Sequence, residues 1–347
     1  MPHMLKQDIE RHGDGYYIHR IPGIVCTRRG TVLAYCESRS GGDWSEIDIT
    51  LRKSTDDGKT WGARRVLVRG EGHTTNNPVM FAGGDSGRIH FLWHKNYACA
   101  FYQFSDDEGE SWSEPEDVTY AYEQFRPEYP WEVIAAGPGH GTVLSNGTLF
   151  VPVWLSTDHS HHPFVCGCIF SHDNGKTWNR GGLIMATDKI PEPNETAACE
   201  TGDGGILMNI RNTGPSYRRA VAKSADGGAS FSAPVLETQL QDPHCAAGML
   251  SFRNEANRHV LVFSNCESES PLRINLSLRV SLDDGANWRA LGVIEEISGY
   301  SDVCLNPLTG TLFCYYERGW LENKPGWPQA LTVARIESFM NDFEAEL

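Results

Sequence analysis

Five copies of one short pattern run through the 347-residue chain and constrain its fold more than any other feature. The pattern is S-x-D-x-G-x-x-W. It begins at Ser54, Ser105, Ser171, Ser224 and Ser281, and its last place holds Trp61, Trp112, Trp178, Phe231 and Trp288. The starts are separated by 51, 66, 53 and 57 residues. Recurrence at such a period marks a repeat architecture in which each copy is one supersecondary unit. Ser and Asp side chains can hold the backbone amides of a tight turn. Gly supplies a positive φ without steric cost, and the aromatic can pack between neighbouring sheets. Strand-like runs precede the copies, as at 47–53 and 275–280. Each period accommodates four short strands, and the chain length divided by the period gives about six units. The expectation is an all-β fold, a six-bladed β-propeller of four-stranded antiparallel blades. It forms one domain over 1–347, with no clear copy of the pattern in the sixth blade. The repeated aspartates then serve the turn, and the pattern speaks to fold rather than function.

Charge and cysteine usage narrow the function classes. The formal net charge of -15 disfavours nucleic acid and anionic membrane surfaces. An acidic ligand would therefore need locally concentrated positive charge. No stretch approaches the ~20 apolar residues of a membrane-spanning helix, and residues 1–11 lack the apolar core of a secretory leader. Most of the ten cysteines, Cys26, Cys36, Cys199 and Cys314 among them, lie in apolar strand-like runs. That usage suits free thiols in a reducing compartment, so a cytoplasmic location is expected. The pair Cys166 and Cys168 is too isolated to argue for a metal. The histidines at 159, 161 and 162 fit no zinc spacing and read as a polar loop near a site mouth.

Several stretches carry charged and phenolic groups suited to binding an anion and to acid–base chemistry. They include His19-Arg20-Ile21-Pro22-Gly23, Asn194-Glu195 followed by Leu207-Met-Asn-Ile-Arg211-Asn212, and Arg273-Ile-Asn-Leu-Ser-Leu. Glu37-Ser-Arg39-Ser-Gly-Gly-Asp43-Trp44-Ser-Glu46-Ile-Asp48 and Leu312-Phe-Cys-Tyr315-Tyr316-Glu317 complete the set. Together with the repeats, from about His19 to Ile336, they resemble the sialidase family. The resemblance implies an arginine triad of Arg20, Arg211 and Arg273 on the substrate carboxylate, with Arg39 as a further polar contact. It implies Asp43 as acid/base, with Glu46 a rival and Asp48 structural, and Glu195 as the base of the nucleophile, with Glu200 a rival. Tyr316 is the implied nucleophile, with Tyr315 facing the other side of its strand.

The physical logic agrees. Guanidinium forks bind carboxylates bidentately and stay charged. A carboxylate nucleophile would be repelled by the sugar's own carboxylate, whereas a tyrosine is not, and sialidases are a known exception to carboxylate attack. The expected activity is retaining exo-hydrolysis of terminal α-ketosidic sialic acid from a sialoglycoconjugate, without cofactor or metal. The same machinery would serve Kdo or a deaminated nonulosonic acid, and transfer to an acceptor sugar would use the same groups. A non-catalytic carbohydrate-binding propeller would not need Asp43 or the nucleophile. The family's glutamate that supports the first triad arginine falls near Gln329, so Glu317 or another acid must substitute, or the site is tuned to another acid sugar. His140, in Gly137-Pro138-Gly139-His140-Gly141, is either a substrate contact or structural, and Asn76-Asn77-Pro78 reads as structural. No acetamide pocket is legible around 93–97 and 125–129. Oligomeric state is not encoded in any of these patterns.

Overall fold

The computed structural model describes residues 4–84 and 86–340. The chain opens with β1 (Met4–Arg11) and then builds a ring of blades. The first blade is β2 (Ile18–Cys26), β3 (Val32–Arg39), β4 (Ile47–Ser54) and β5 (Arg65–Val68). The second is β6 (Thr75–Ala82), β7 (Ile89–Lys95), β8 (Cys99–Ser105) and β9 (Glu116–Asp117), followed by the short helix α1 (Thr119–Glu123). The third is β10 (Val133–Ala136) with β13 (Leu149–Ser156), β14 (Phe164–Ser171) and β15 (Asn179–Ile184). Between β10 and β13, β11 (Gly139–His140) pairs in parallel with β6, and β12 (Thr142–Val143) pairs with β13. The fourth blade is β16 (Thr196–Glu200), β17 (Ile206–Ile210), β18 (Arg218–Ser224) and β19 (Val235–Gln241). Then come β20 (Gly248–Arg253), β21 (His259–Cys266), β22 (Ile274–Ser281), β23 (Arg289–Leu305), β24 (Leu312–Arg318) and β25 (Ala330–Ile336).

The last six strands and β1 form one seven-stranded sheet, joined through the 17-residue β23. The first part of β23, 289–297, pairs with β22; its second part, 298–305, pairs with β24. A register shift between Ser298 and Ser301 separates the two parts. The sheet is therefore two four-stranded blades: β20, β21, β22 and early β23, then late β23, β24, β25 and β1. The architecture is a β-propeller of six blades, closed where the N-terminal β1 pairs antiparallel with the C-terminal β25.

Six hydrophobic clusters sit between successive blades. Both faces of an inner strand are thus covered, so β3 and β13 are buried along their whole length instead of alternating. The repeated turn is built as the pattern predicts. In the first copy Ser54 Oγ donates to Asp56 Oδ1 at 2.8 Å and accepts from Gly58 N at 2.9 Å. Asp56 also takes the Thr60 amide at 2.9 Å and the Thr60 hydroxyl at 2.6 Å. Corresponding bonds recur in the other copies. Each copy's aromatic enters a different inter-blade cluster: Trp61, Trp112, Trp178, Phe231 and Trp288 in turn.

The interface between the fifth and sixth blades has no such aromatic. It is filled by Tyr316, Phe339 and their neighbours. The reason is topological: the sixth blade's outer strand is β1, from the other end of the chain, so no turn joins its third strand to its fourth. All ten cysteines are free, and most are buried.

Candidate active site

Every repeated turn follows the third strand of its blade, so the turns share one face of the ring. The hairpins joining second and third strands lie on the other. Those hairpins carry Asp43 between β3 and β4, Tyr97 between β7 and β8, His161 between β13 and β14, Arg211 just after β17 and Arg273 just before β22. Arg20 sits near the start of β2, and Glu195 immediately precedes β16. The topology brings these groups from different blades to one cavity of about 320 Å³. Six of the residues expected from sequence line it: Arg20, Arg39, Asp43, Glu195, Arg211 and Arg273.

Tyr316 does not. It is fully buried between the fifth and sixth blades, and its hydroxyl donates to Glu295 at 3.1 Å. Tyr315 is buried against the first blade instead. The tyrosine in the cavity is Tyr300, on the innermost strand of the sixth blade. Its hydroxyl donates to Glu195 Oε1 and Oε2 at 2.7 and 2.8 Å and accepts from Arg211 Nη1 at 2.8 Å. The Arg20 and Arg273 guanidiniums lie 5.2 and 5.1 Å from the Tyr300 ring centroid. The family resemblance had implied Tyr316 as the nucleophile, and Tyr300 was not weighed. The available signal was strand order: in a propeller the first strand of a blade lines the axis, and Gly299-Tyr300-Ser301 begins that strand whereas Tyr316 lies on the second.

Glu317 does matter, through different contacts. Its buried carboxylate accepts from Arg20 Nε at 2.9 Å and Nη2 at 3.3 Å, from Ile21 N at 3.4 Å and from Tyr300 N at 3.1 Å. One acid thus orients both the first arginine and the backbone of the cavity tyrosine. It supplies the support that the neutral Gln329 cannot, and Gln329 spends its amide on the Trp320 carbonyl at 2.7 Å. The approach is so close that a Cβ on Gly299 would stand 2.3 Å from Glu317 Oε2. Ile21 takes φ 57°, a costly conformation for a β-branched residue, where the β2–β3 register breaks between Arg20 and Gly23. That break aims Arg20 inward.

Arg39 is buried and held by Glu37, whose other oxygen accepts from Asn77 N at 2.6 Å. Arg39 in turn donates to Asp43, whose side chain is half exposed. The Asp43 carbonyl accepts from the Thr74 hydroxyl at 2.8 Å, which fixes its loop. The rivals are engaged elsewhere. Glu46 accepts from Gly72 N, Asp48 from Tyr16 and Gly70 N, and Glu200 from Ser145. His140 bonds Asp302 at 2.7 Å, below the cavity in the ring's central channel. His161 and His162 do line the cavity, and among the described residues no histidine, cysteine and carboxylate cluster can hold a metal.

The electrostatics divide the roles. Burial pushes the Tyr300 phenol above its ordinary value; Arg211 pulls it down, Glu195 adds to the rise, and Arg273 and Arg20 pull it down further. The phenol is therefore protonated at rest and needs its carboxylate partner to lose the proton. For Asp43 burial acts upward, but Arg39 and Arg20 hold the carboxyl below its ordinary range. The guanidiniums of Arg20 and Arg211 are shifted up: burial opposes, and Glu317 with Tyr300, and Tyr300 with Glu195, overcome it. A fixed cluster of cations beside a carboxylate–phenol pair can bind an organic acid and deliver a nucleophilic oxygen to the carbon next to its carboxylate.

Comparison with known proteins bears on the family and the fold. The BNR repeat-like domain family matches residues 22–314. A sialidase of Paraclostridium sordellii is 33% identical over 57% of this chain and 54% of its own length. Sialidase-3 of Mus musculus is 30% identical over 72% of this chain and 65% of its own. The chain thus spans less than two thirds of either relative. In fold it is similar to a Hadza microbial sialidase, with a TM-score of 0.82 at 24% identity, covering 96% of this chain and 68% of that one.

Proposed function

This chain belongs to the sialidase family, and from that premise we propose that it is a retaining exo-glycosidase releasing terminal sialic acid through Tyr300. The observation that carries the reading is the Tyr300 hydroxyl set between Glu195 and Arg211, with Arg20 and Arg273 beside its ring. Arg20, Arg211 and Arg273 bind the carboxylate on the anomeric carbon, which offsets the repulsion expected from a chain of net charge -15. Glu195 takes the phenol proton as Tyr300 Oη bonds the anomeric carbon, and Asp43 protonates the departing glycosidic oxygen. The substrate's approach supplies the condition Asp43 needs: a second anion near Arg20 and exclusion of water both raise its proton affinity. In the second half, Asp43 removes a proton from water, whose oxygen replaces Tyr300 on the sugar, and Glu195 returns the proton to the phenol. Arg39 holds Asp43 and reaches the same cavity.

The test is hydrolysis of a fluorogenic N-acetylneuraminic acid glycoside, run beside the Kdo and deaminated analogues. Release from the first is expected. Turnover of an analogue alone would keep the mechanism and move the sugar, and inertness toward all three would remove the reading.

A further inference from the structure

Asp43 is carried by the connection 40–46 between β3 and β4, and every residue of it is exposed or half-buried. The connection includes Gly41 and Gly42, and a Cβ on Gly42 would meet nothing within 4 Å. A stretch with two glycines and so little packing keeps much of its backbone freedom. A general acid must nevertheless stand within hydrogen-bond reach of the departing oxygen, and a misplacement of about 1 Å is costly. The ion pair with Arg39 holds the carboxylate alone and favours its charged form. The backbone beside the acid needs another anchor.

The second blade supplies it. The Thr74 hydroxyl lies 2.8 Å from the Asp43 carbonyl oxygen and 2.7 Å from that of Ser45, so its one proton is shared by the residues on either side of Trp44. Thr74 is buried, and it is fixed independently of the loop it holds. Its amide donates to Asn96 Oδ1 at 3.3 Å, and its carbonyl accepts from the Asn96 amide at 2.8 Å. Asn96 opens the corner between β7 and β8. Both anchors therefore lie in the second blade, while the load is the acid loop of the first. The Trp44 ring sits in an aromatic clasp, 4.9 Å from Tyr97, 5.3 Å from His161 and 5.6 Å from His159, and stays half exposed. Ring contacts of this kind restrain a side chain, whereas two carbonyls on one hydroxyl fix the peptide groups beside the acid.

We propose that Thr74 is a positioning residue for the general acid, holding Asp43 through two backbone carbonyls where its carboxyl meets the departing glycosidic oxygen. The inference rests on the reading of Asp43 given above and goes beyond it by assigning the acid's placement to the second blade. No proton passes through Thr74. Its effect belongs to the step in which the leaving group takes a proton, so it depends on how much that group needs one.

The experiment compares kcat/KM for a sialyl glycoside with a sugar leaving group and for the fluorogenic aryl glycoside. This ratio covers the steps up to departure of the leaving group, so the later attack of water does not enter. Thr74→Val keeps the shape and removes the hydroxyl. It is expected to lower kcat/KM for the sugar leaving group about three- to tenfold, the span of one neutral hydrogen bond, and to leave the aryl substrate nearly unchanged. Thr74→Ser is expected to restore the parent values. Asn96→Gly keeps the positive-φ corner, where Asn96 has φ 54°, and loosens Thr74 without touching its hydroxyl. It is expected to shift the preference between substrates in the same direction by a smaller factor, and it decides the matter if Thr74→Val does not fold. Thr75→Val is the control: it removes a 2.5 Å bond to the Ile47 carbonyl on β4 and is expected to treat the two substrates alike. Equal losses on both substrates in Thr74→Val, an unchanged preference, or a Thr74→Ser variant as poor as Thr74→Val would each overturn the inference. Asp43→Asn is measured alongside. If it separates the two substrates and Thr74→Val does not, the inference falls alone; if it does not separate them, the reading of Asp43 as acid falls and takes the inference with it.

Discussion

The two faces of the propeller are built by opposite rules. On one, the same turn is repeated five times with the same bonds and an aromatic plug in each copy, tryptophan in four and Phe231 in the other. On the other, the loops share no pattern: a Gly-Gly loop presents Asp43, a three-residue corner presents Tyr97, and strand ends present Arg211 and Arg273. Repetition serves closure of the ring, where each blade faces the same packing problem. Chemistry needs different groups converging on one point, which repetition cannot supply. A substitution on one face should therefore change stability without turnover, and on the other turnover without stability.

The largest effect expected is at the tyrosine. Tyr300→Phe removes the nucleophilic oxygen and should lower kcat at least about 10³-fold, with an unchanged Tm. Tyr316→Phe removes only a bond to Glu295 and should stay within a few-fold of the parent. The reverse ranking in steady-state kinetics would restore Tyr316 and break the assignment made from geometry.

This pair also shows what could be read from the chain alone. The repeats carry their own geometry within eight residues, so the propeller was legible. Arg20, Arg211, Arg273, Glu195 and Asp43 each lie in a short stretch that resembles a family motif, and all five line one cavity. Tyr300 and Tyr316 differ by position in the blade, innermost strand against second strand. That distinction depends on β23 passing from one blade to the next at Ser298–Ser301, a kink that no local pattern announces. Glu317 was legible as an acid able to support Arg20 in place of Gln329, and it does so; its second partner, the Tyr300 amide, is distant in sequence and had no local signal. The aromatic clasp of His161 joins three blades and had no local signal beyond a polar loop.

Asp43→Asn comes next. Loss of the general acid should lower kcat about 10²- to 10⁴-fold for a sugar leaving group, and much less for an aryl leaving group that departs without a proton. The pH profile gives the sign. Arg39 and Arg20 hold the free carboxyl below its ordinary range despite burial. kcat/KM, which reports the free protein, should therefore fall with rising pH from the acid side, while the limb for kcat lies at higher pH because bound substrate raises the carboxyl. Coincident limbs in the two profiles would show that Asp43 is not the titrating acid.

Gly175→Ala tests the other face. Gly175 has φ 88° in its turn, and an added Cβ would stand 2.2 Å from the Tyr102 hydroxyl oxygen of the adjacent blade. Strain and overpacking together should cost about 2–3 kcal/mol in denaturant unfolding, with kcat and KM unchanged in the folded fraction. An equal loss of turnover would mean that the repeated turns and the cavity are coupled.

The smallest effect expected is the pH response of the repeated turns. Hydrogen bonds from the Thr60 and Ser230 side chains and amides lower the carboxyls of Asp56 and Asp226 to about 2. Asp173 is also held at about 2, where burial opposes and the bonds from Thr177 prevail. The unfolded chain titrates at ~3.9. Below that value the unfolded state binds more protons than the folded one, so the stability these groups contribute is complete above pH 4 and is lost as pH falls toward 2. The groups lie at the surface, where solvent screens them, so the effect per turn is small. A Tm series from pH 5 to pH 2 should decline for the parent protein. Asp56→Asn should start lower at neutral pH and decline less, because one titrating turn is gone. Parallel curves for the two would show that acid acts elsewhere, at Asp8 and Asp57 beside their arginines, where the closing strand β1 and the first turn are pinned.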